Sequence, residues 1–145
     1  MRISDVLHAK GSEVWTVTPQ ARIGDLLQEL ARRRFGAAVV CTDDGRFHGI
    51  VSERDVLWSL AERGPAVLDD VVASICTTDV HTETPETSIE QVMAVMTEGR
   101  FRHVPVVVDG AVVGIVSIGD AVKSRMAELE SERDSLSSYI HSSLS

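Results

Sequence analysis

An internal duplication constrains the fold of this chain more than any other feature. Thr18-Pro19 recurs as Thr84-Pro85, a shift of 66. The apolar set Ile23, Leu26, Leu27, Leu30 recurs at the same shift as Ile89, Val92, Met93, Met96, and Arg34-Phe35 recurs as Arg100-Phe101. Gly49-Ile50-Val51-Ser52 then returns as Gly114-Ile115-Val116-Ser117, and Asp55 as Asp120, at a shift of 65. The one-residue slip falls in a hairpin region, where insertions are tolerated. So many matches in one order imply two copies of a single supersecondary unit.

Each copy reads as strand, helix, strand, hairpin, strand, helix, an α/β pattern. In the first, Val14-Trp15-Thr16-Val17 is a short strand stopped by Pro19, which cannot donate to a ladder. Residues 23–34 place apolar groups on one helical face. Ala37 to Cys41 is an apolar run suited to a buried strand. Asp44-Gly45, like Asp109-Gly110, favours a tight turn, and Phe47 to Val51 returns as the partner strand. A helix follows from about Asp55 to Arg63, closed by Gly64-Pro65. In the second copy Ser88 and Gln91 match a capping box. Pro105, within Val104 to Val108, implies a strand start or an edge position.

These boundaries divide the chain into a first repeat (1–64), a second (65–124) and a helical tail (125–145). In the tail, Val122, Met126, Leu129, Leu136 and Ile140 fall at alternating four- and three-residue steps, with Arg133 at the missing position. Such a seam either packs on its own domain or pairs with a second copy. Ser142-Ser143-Leu144-Ser145 is expected to fray.

Charge and composition exclude several functions. A net charge of −8 opposes a nucleic-acid partner, which needs clustered cations. The one basic run, Arg32-Arg33-Arg34, ends a helix, where cations complement the dipole. No apolar run approaches the roughly 20 residues that span a bilayer, and Met1 to Asp5 holds no signal core, so no membrane role and a cytoplasmic location are expected. Cys41 reads as a small buried hydrophobe and Cys76 as a loop residue. The five histidines show no metal-ligand spacing, and phosphate-loop, dinucleotide-fold and nucleophile-elbow patterns are absent.

The segments able to do chemistry are Gly49-Ile-Val-Ser52-Glu-Arg-Asp55 and Gly114-Ile-Val-Ser117-Ile-Gly-Asp120. Each lies where a strand ends and a helix begins. Ser followed three residues later by Asp is an ordinary helix cap. The same geometry also suits a nucleotide: a helix start attracts phosphate, a Ser hydroxyl can donate to it, and an Asp can accept from ribose hydroxyls. A cap and a site are both open readings.

The doubled pattern of strand ending at Thr-Pro, amphipathic helix, Val-rich strand, hairpin and G-I-V-S-x-x-D resembles tandem cystathionine-β-synthase (CBS) domains, over nearly all of residues 1–124. The resemblance implies two pseudo-symmetric β-α-β-β-α repeats packed through their sheets, with two clefts between them. It implies an adenosyl ligand (AMP, ADP, ATP, sometimes NAD or S-adenosylmethionine) and a homodimer. Carried onto this chain, one cleft combines Ser52, Arg54 and Asp55 with Thr78, Asp79, Val80, Arg102 and His103. The other combines Ser117 and Asp120 with Lys10, Gly11, Ser12, Gly36 and Ala37. Arg102 and His103 either meet phosphates or form a solvated turn, and Gly36 is alternatively a helix C-terminal glycine. On this count the first cleft is cationic and the second neutral, unless Lys10 reaches in.

The expected function is therefore a nucleotide-sensing regulatory module that shifts a protein partner's activity and carries no catalytic residues or catalytic cofactor. The competing reading is a structural dimerisation module with vestigial clefts. An enzyme would need a base, nucleophile or metal beyond the ribose-holding carboxylates.

Overall fold

The two hairpins account for the slip in the repeat. The first closes through a three-residue loop, Asp43-Asp44-Gly45, between the bonded pair Thr42 and Arg46, with Gly45 at φ 82°. The second closes through two residues, Asp109 (φ 51°) and Gly110 (φ 81°), between the paired Val108 and Ala111. Left-handed φ at both positions is the demand of a tight hairpin turn, which Asp-Gly meets. One loop residue fewer turns a shift of 66 into 65.

The computed structural model describes residues 1–11 and 13–144. In order they form α1 (Ile3–Lys10), β1 (Thr16–Val17), α2 (Ile23–Arg33), β2 (Ala37–Cys41), β3 (Phe47–Ser52), α3 (Glu53–Arg63), two short 3-10 turns (Pro65–Asp69 and Val72–Ser74), α4 (Ile89–Gly99), β4 (His103–Val108), β5 (Ala111–Ser117) and α5 (Ile118–Leu144). In the first sheet β1 runs parallel to β2, and β3 antiparallel to it. The second sheet is the antiparallel pair β4–β5; a single parallel bridge, Glu83 to Val106, stands where β1 would lie. Pro105 is accommodated there, its carbonyl accepting from the Glu83 N–H at 3.1 Å.

Each sheet packs its helices over a separate apolar core, and each core borrows a segment from outside its own repeat. The first holds Ile23, Leu26, Leu30, Val40, Val51 and Val56, completed by Val67 and Val72 of the inter-repeat linker. The second holds Ile89, Val92, Met96, Val104, Val106 and Val116, completed by Ile3, Val6 and Leu7 of α1. The exchange is pseudo-symmetric. Arg2 bridges Ser88 at the start of α4, and Val71 bridges Arg22 at the start of α2. Helix α1 was not foreseen: its apolar spacing at i, i+3 and i+4 covers only two turns.

The matched glycines of the two G-I-V-S segments admit these exchanged segments. A Cβ on Gly49 would lie 2.4 Å from the Thr77 carbonyl oxygen, and one on Gly114 would lie 2.6 Å from Leu7 Cδ2. At Gly49 the neighbour is backbone, which only a residue without a side chain can approach this closely; at Gly114 it is the end of a leucine side chain.

Other boundaries shift for local reasons. Helix α3 begins at Glu53 rather than near Asp55, because Ser52 caps it. Of the capping box expected at Ser88, only the serine half forms, its Oγ accepting from the Gln91 N–H at 3.2 Å. The C-cap of α2 is Arg34 in the left-handed region (φ 58°), so Gly36 is not the helix-ending glycine. Helix α5 runs as far as Leu144; of the end expected to fray, Ser145 lies outside the described residues. Its seam residues Val122, Met126, Leu129, Leu136 and Ile140 are all exposed, so one chain does not cover that face. No described helix is long and apolar enough to cross a membrane.

Candidate functional site

Both Ser-x-x-Asp segments are helix caps, and the cap leaves each carboxylate half used. Ser52 Oγ accepts from the Asp55 N–H at 3.3 Å; Asp55 Oδ2 accepts from the Ser52 N–H at 2.9 Å and from its hydroxyl at 3.1 Å. Ser117 Oγ likewise accepts from the Asp120 N–H at 3.1 Å, and Asp120 Oδ2 from the Ser117 N–H at 3.0 Å. Every one of these bonds that reaches a carboxylate uses Oδ2. Among the described residues neither Oδ1 has a hydrogen-bond partner, so each carboxylate keeps an acceptor that the cap does not use. The cap and the site readings are compatible.

The first cleft is a cavity of about 770 Å³ between the repeats. It brings together Ser52, Arg54, Asp55, Asp79, Val80, Arg102 and His103. Thr78 does not line it; its Cα packs behind Gly49. Segment 77–82 forms one wall because the Ile50 and Thr77 backbones exchange two hydrogen bonds of 2.9 Å. Residues not anticipated also line the cavity. His81 and Phe101 stack with ring centroids 6.0 Å apart, giving a wall on which a planar group can pack. Glu53 and Arg100 stand at its edge.

The second cleft, about 490 Å³, brings together Ser117, Asp120, Lys10, Gly11, Gly36 and Ala37. Ser12 lies outside the described residues. Trp15, Arg34 and Phe35 line it unannounced, with the Trp15 and Phe35 rings 6.4 Å apart and the Arg33 guanidinium 5.0 Å from the Trp15 ring centre. The signal that would have found the arginines was the repeated Arg-Phe pair. Arg34 and Arg100 both end a helix in the left-handed region (φ 58° and 56°), and each lines a cleft.

The expected contrast between a cationic and a neutral cleft is corrected. Lys10 reaches in: its Nζ is 2.6 Å from Asp120 Oδ2 and 2.9 Å from the Ile115 carbonyl oxygen. Lys10 and Arg34 face Glu13 and Asp120 in this cleft; Arg54, Arg100 and Arg102 face Glu53, Asp55 and Asp79 in the other. Cations and carboxylates balance in both. The cause is α1, whose C-terminal residue arrives from a helix the sequence pattern did not announce.

Burial opposes the charged form of Asp120, but Lys10 and the Ser117 N–H outweigh it and hold the carboxyl below its usual value. His103 lines both cavities, as does Gly36. Burial pushes its pKa down, aided by Lys10 and Arg102 and opposed by Asp120 and Glu53.

Fold and clefts together define a duplicated α/β module with two interlobe cavities, each framed by one capped Ser-x-x-Asp. The profile of the CBS domain matches residues 3–62 and 72–127, and the chain belongs to that family. Among curated relatives, the mitochondrial CBS domain-containing protein CBSX3 of Arabidopsis thaliana is 34% identical over 147 residues, covering 95% of this chain and 71% of its own. Among solved structures, the CBS-domain containing protein ATU1752 from Agrobacterium tumefaciens is 41% identical at a TM-score of 0.82, covering 86% of this chain and 99% of its own. CBSX2, solved in complex with AMP, shares the fold at a TM-score of 0.71 and 24% identity, covering 81% of this chain and 90% of its own.

Proposed function

We propose that the chain is a regulatory module that binds adenine nucleotides in its two clefts and does not turn them over. The observation that carries this reading is the doubled Ser-x-x-Asp, each with a carboxylate oxygen left over from the cap and each lining a cavity of nucleotide size. Ribose hydroxyls donate to the aspartate, the phosphate lies toward the serine-capped helix start, and the base packs on the aromatic wall. Cations lining each cleft (Arg54, Arg100 and Arg102; Lys10 and Arg34) meet the phosphates. The ligand is one of AMP, ADP, ATP or NAD. That CBSX2 takes AMP on the same fold supports the class.

The signal leaves through a second copy. Leu57 on α3 and its repeat counterpart Val122 on α5 are both exposed, with Trp58 and Met126 beside them, and the tail seam continues that stripe. A homodimer covers these faces. A ligand alters a partner protein by favouring one dimer shape over another. Calorimetry on nucleotide-stripped protein with AMP, ATP and NAD tests the reading. Losing a hydrogen bond to a charged group costs about 1.5–3 kcal/mol, so Asp55→Ala and Asp120→Ala should each weaken binding by about ten- to a hundredfold. If neither changes any affinity, the aspartates are caps alone and the module serves dimerisation.

A further inference from the structure

The two carboxylates differ at one contact. Asp55 Oδ2 takes the hydroxyl of its own Ser52, whereas Asp120 Oδ2 takes the ammonium of Lys10, from 110 residues away. Lys10 is the last residue of α1, which Ile3, Val6 and Leu7 fix in the second core. Its side chain is about one-third exposed and its partner's about one-quarter, and both line the second cleft.

We propose that Lys10 is the specificity-determining residue of the second cleft: it admits nucleotides, whose phosphate can receive it, and disfavours nucleosides, which cannot. The inference rests on the reading that Asp120 accepts ribose hydroxyls. A ribose donates its two hydroxyls to the two oxygens of Asp120, so a nucleoside that engages it takes the free Oδ1 and competes with the ammonium for Oδ2, leaving Lys10 the Ile115 carbonyl alone. A nucleotide engages Asp120 with its ribose and gives the displaced ammonium a phosphate, a charge-assisted partner of equal or greater strength. Lysine suits the exchange because its point charge rides on a flexible four-carbon stem and needs no fixed fork geometry. Arg34 in the same cleft adds a second cation on the phosphate side. Among the described residues the first cleft has no such competitor at Asp55.

Removing the ammonium should therefore move the two ligand classes in opposite directions, which a merely structural residue would not do. The chain has two tryptophans: Trp15 lines the second cleft, and Trp58 is 62% exposed on α3. In a Trp58→Phe protein, Trp15 alone reports occupancy of the second cleft. Titration with AMP and adenosine should give AMP the tighter binding by about tenfold or more. Lys10→Met and, as a gentler change, Lys10→Gln should each narrow that ratio by about tenfold, adenosine gaining and AMP losing. If Asp120→Ala still abolishes the AMP response but both Lys10 variants leave the ratio unchanged, or weaken the two ligands equally, the inference about Lys10 falls and the cleft reading stands. If Trp15 responds to neither ligand, or its response ignores Asp120→Ala, both fall.

Discussion

Gly49→Ala probes the contact by which the inter-repeat segment is held against β3. The new methyl carbon would lie 2.4 Å from the Thr77 carbonyl oxygen and 3.2 Å from its carbon. Both are backbone atoms and neither can rotate aside. Thr77 is also held by its paired 2.9 Å bonds with Ile50, so the methyl is accommodated only by pushing segment 77–82 off the strand. Overpacking of this kind costs about 1–3 kcal/mol, and strain on the two backbone bonds adds about 1 kcal/mol more. A loss of about 2–4 kcal/mol corresponds to a fall in Tm of roughly 4–15 °C for a chain of this size. Urea denaturation with an unchanged slope would measure it. Nucleotide affinity at the first cleft should fall as well, since Thr77, Asp79 and Val80 form its wall. Gly119→Ala is the control of opposite sign. Its new Cβ meets nothing nearer than Ser117 Oγ at 3.7 Å, and alanine in a helix gains about 0.5–1 kcal/mol over glycine. A Gly49→Ala protein that melts within a degree or two of the parent and binds nucleotide normally would refute the reasoning.

His103, with its pKa held down by burial, binds fewer protons folded than unfolded, so stability should fall as pH drops from the ordinary histidine value through the depressed one. Urea midpoints at successive pH values should show this slope flattened in His103→Asn; identical slopes would remove His103 as its cause. Light scattering should find the full chain dimeric at micromolar concentration, and a chain ending at Lys123 should dissociate more readily. A full-length monomer would refute the second copy as the cover for the exposed stripe, and an unchanged dimer would restrict it to α3 and the start of α5. Incubation with ATP or NAD followed by chromatography should return each unchanged; product formation abolished by Ser52→Ala or Ser117→Ala would refute binding without turnover.

Much of the architecture was legible because the chain writes it twice. A single Val-rich run or Ser-x-x-Asp is ambiguous, but Val51-Ser52 matched by Val116-Ser117, each followed by Asp at the same offset, fixes a strand end and a capped helix start in both copies. The one-residue slip even carried the hairpin loop lengths. What duplication could not reveal is where the copies differ or exchange parts. Helix α1 has two turns of apolar spacing and belongs to the far core, so the family resemblance, and not local pattern, put Lys10 in the cleft of Asp120. Arg34 and Arg100 were visible as a repeated pair, yet a helix-end cation has an ordinary electrostatic explanation that conceals its place in a cleft. The stacking of His81 on Phe101 joins residues on either side of α4, a contact that sequence order does not encode.

The most direct test of nucleotide binding through the paired carboxylates is a crystal structure of the full chain grown with saturating AMP. Ribose hydroxyls within hydrogen-bond distance of Asp55 Oδ1 or Asp120 Oδ1, with the phosphate toward the serine cap of the same helix, are the predicted result. AMP seated away from both carboxylates, or both clefts empty at saturation, would contradict it.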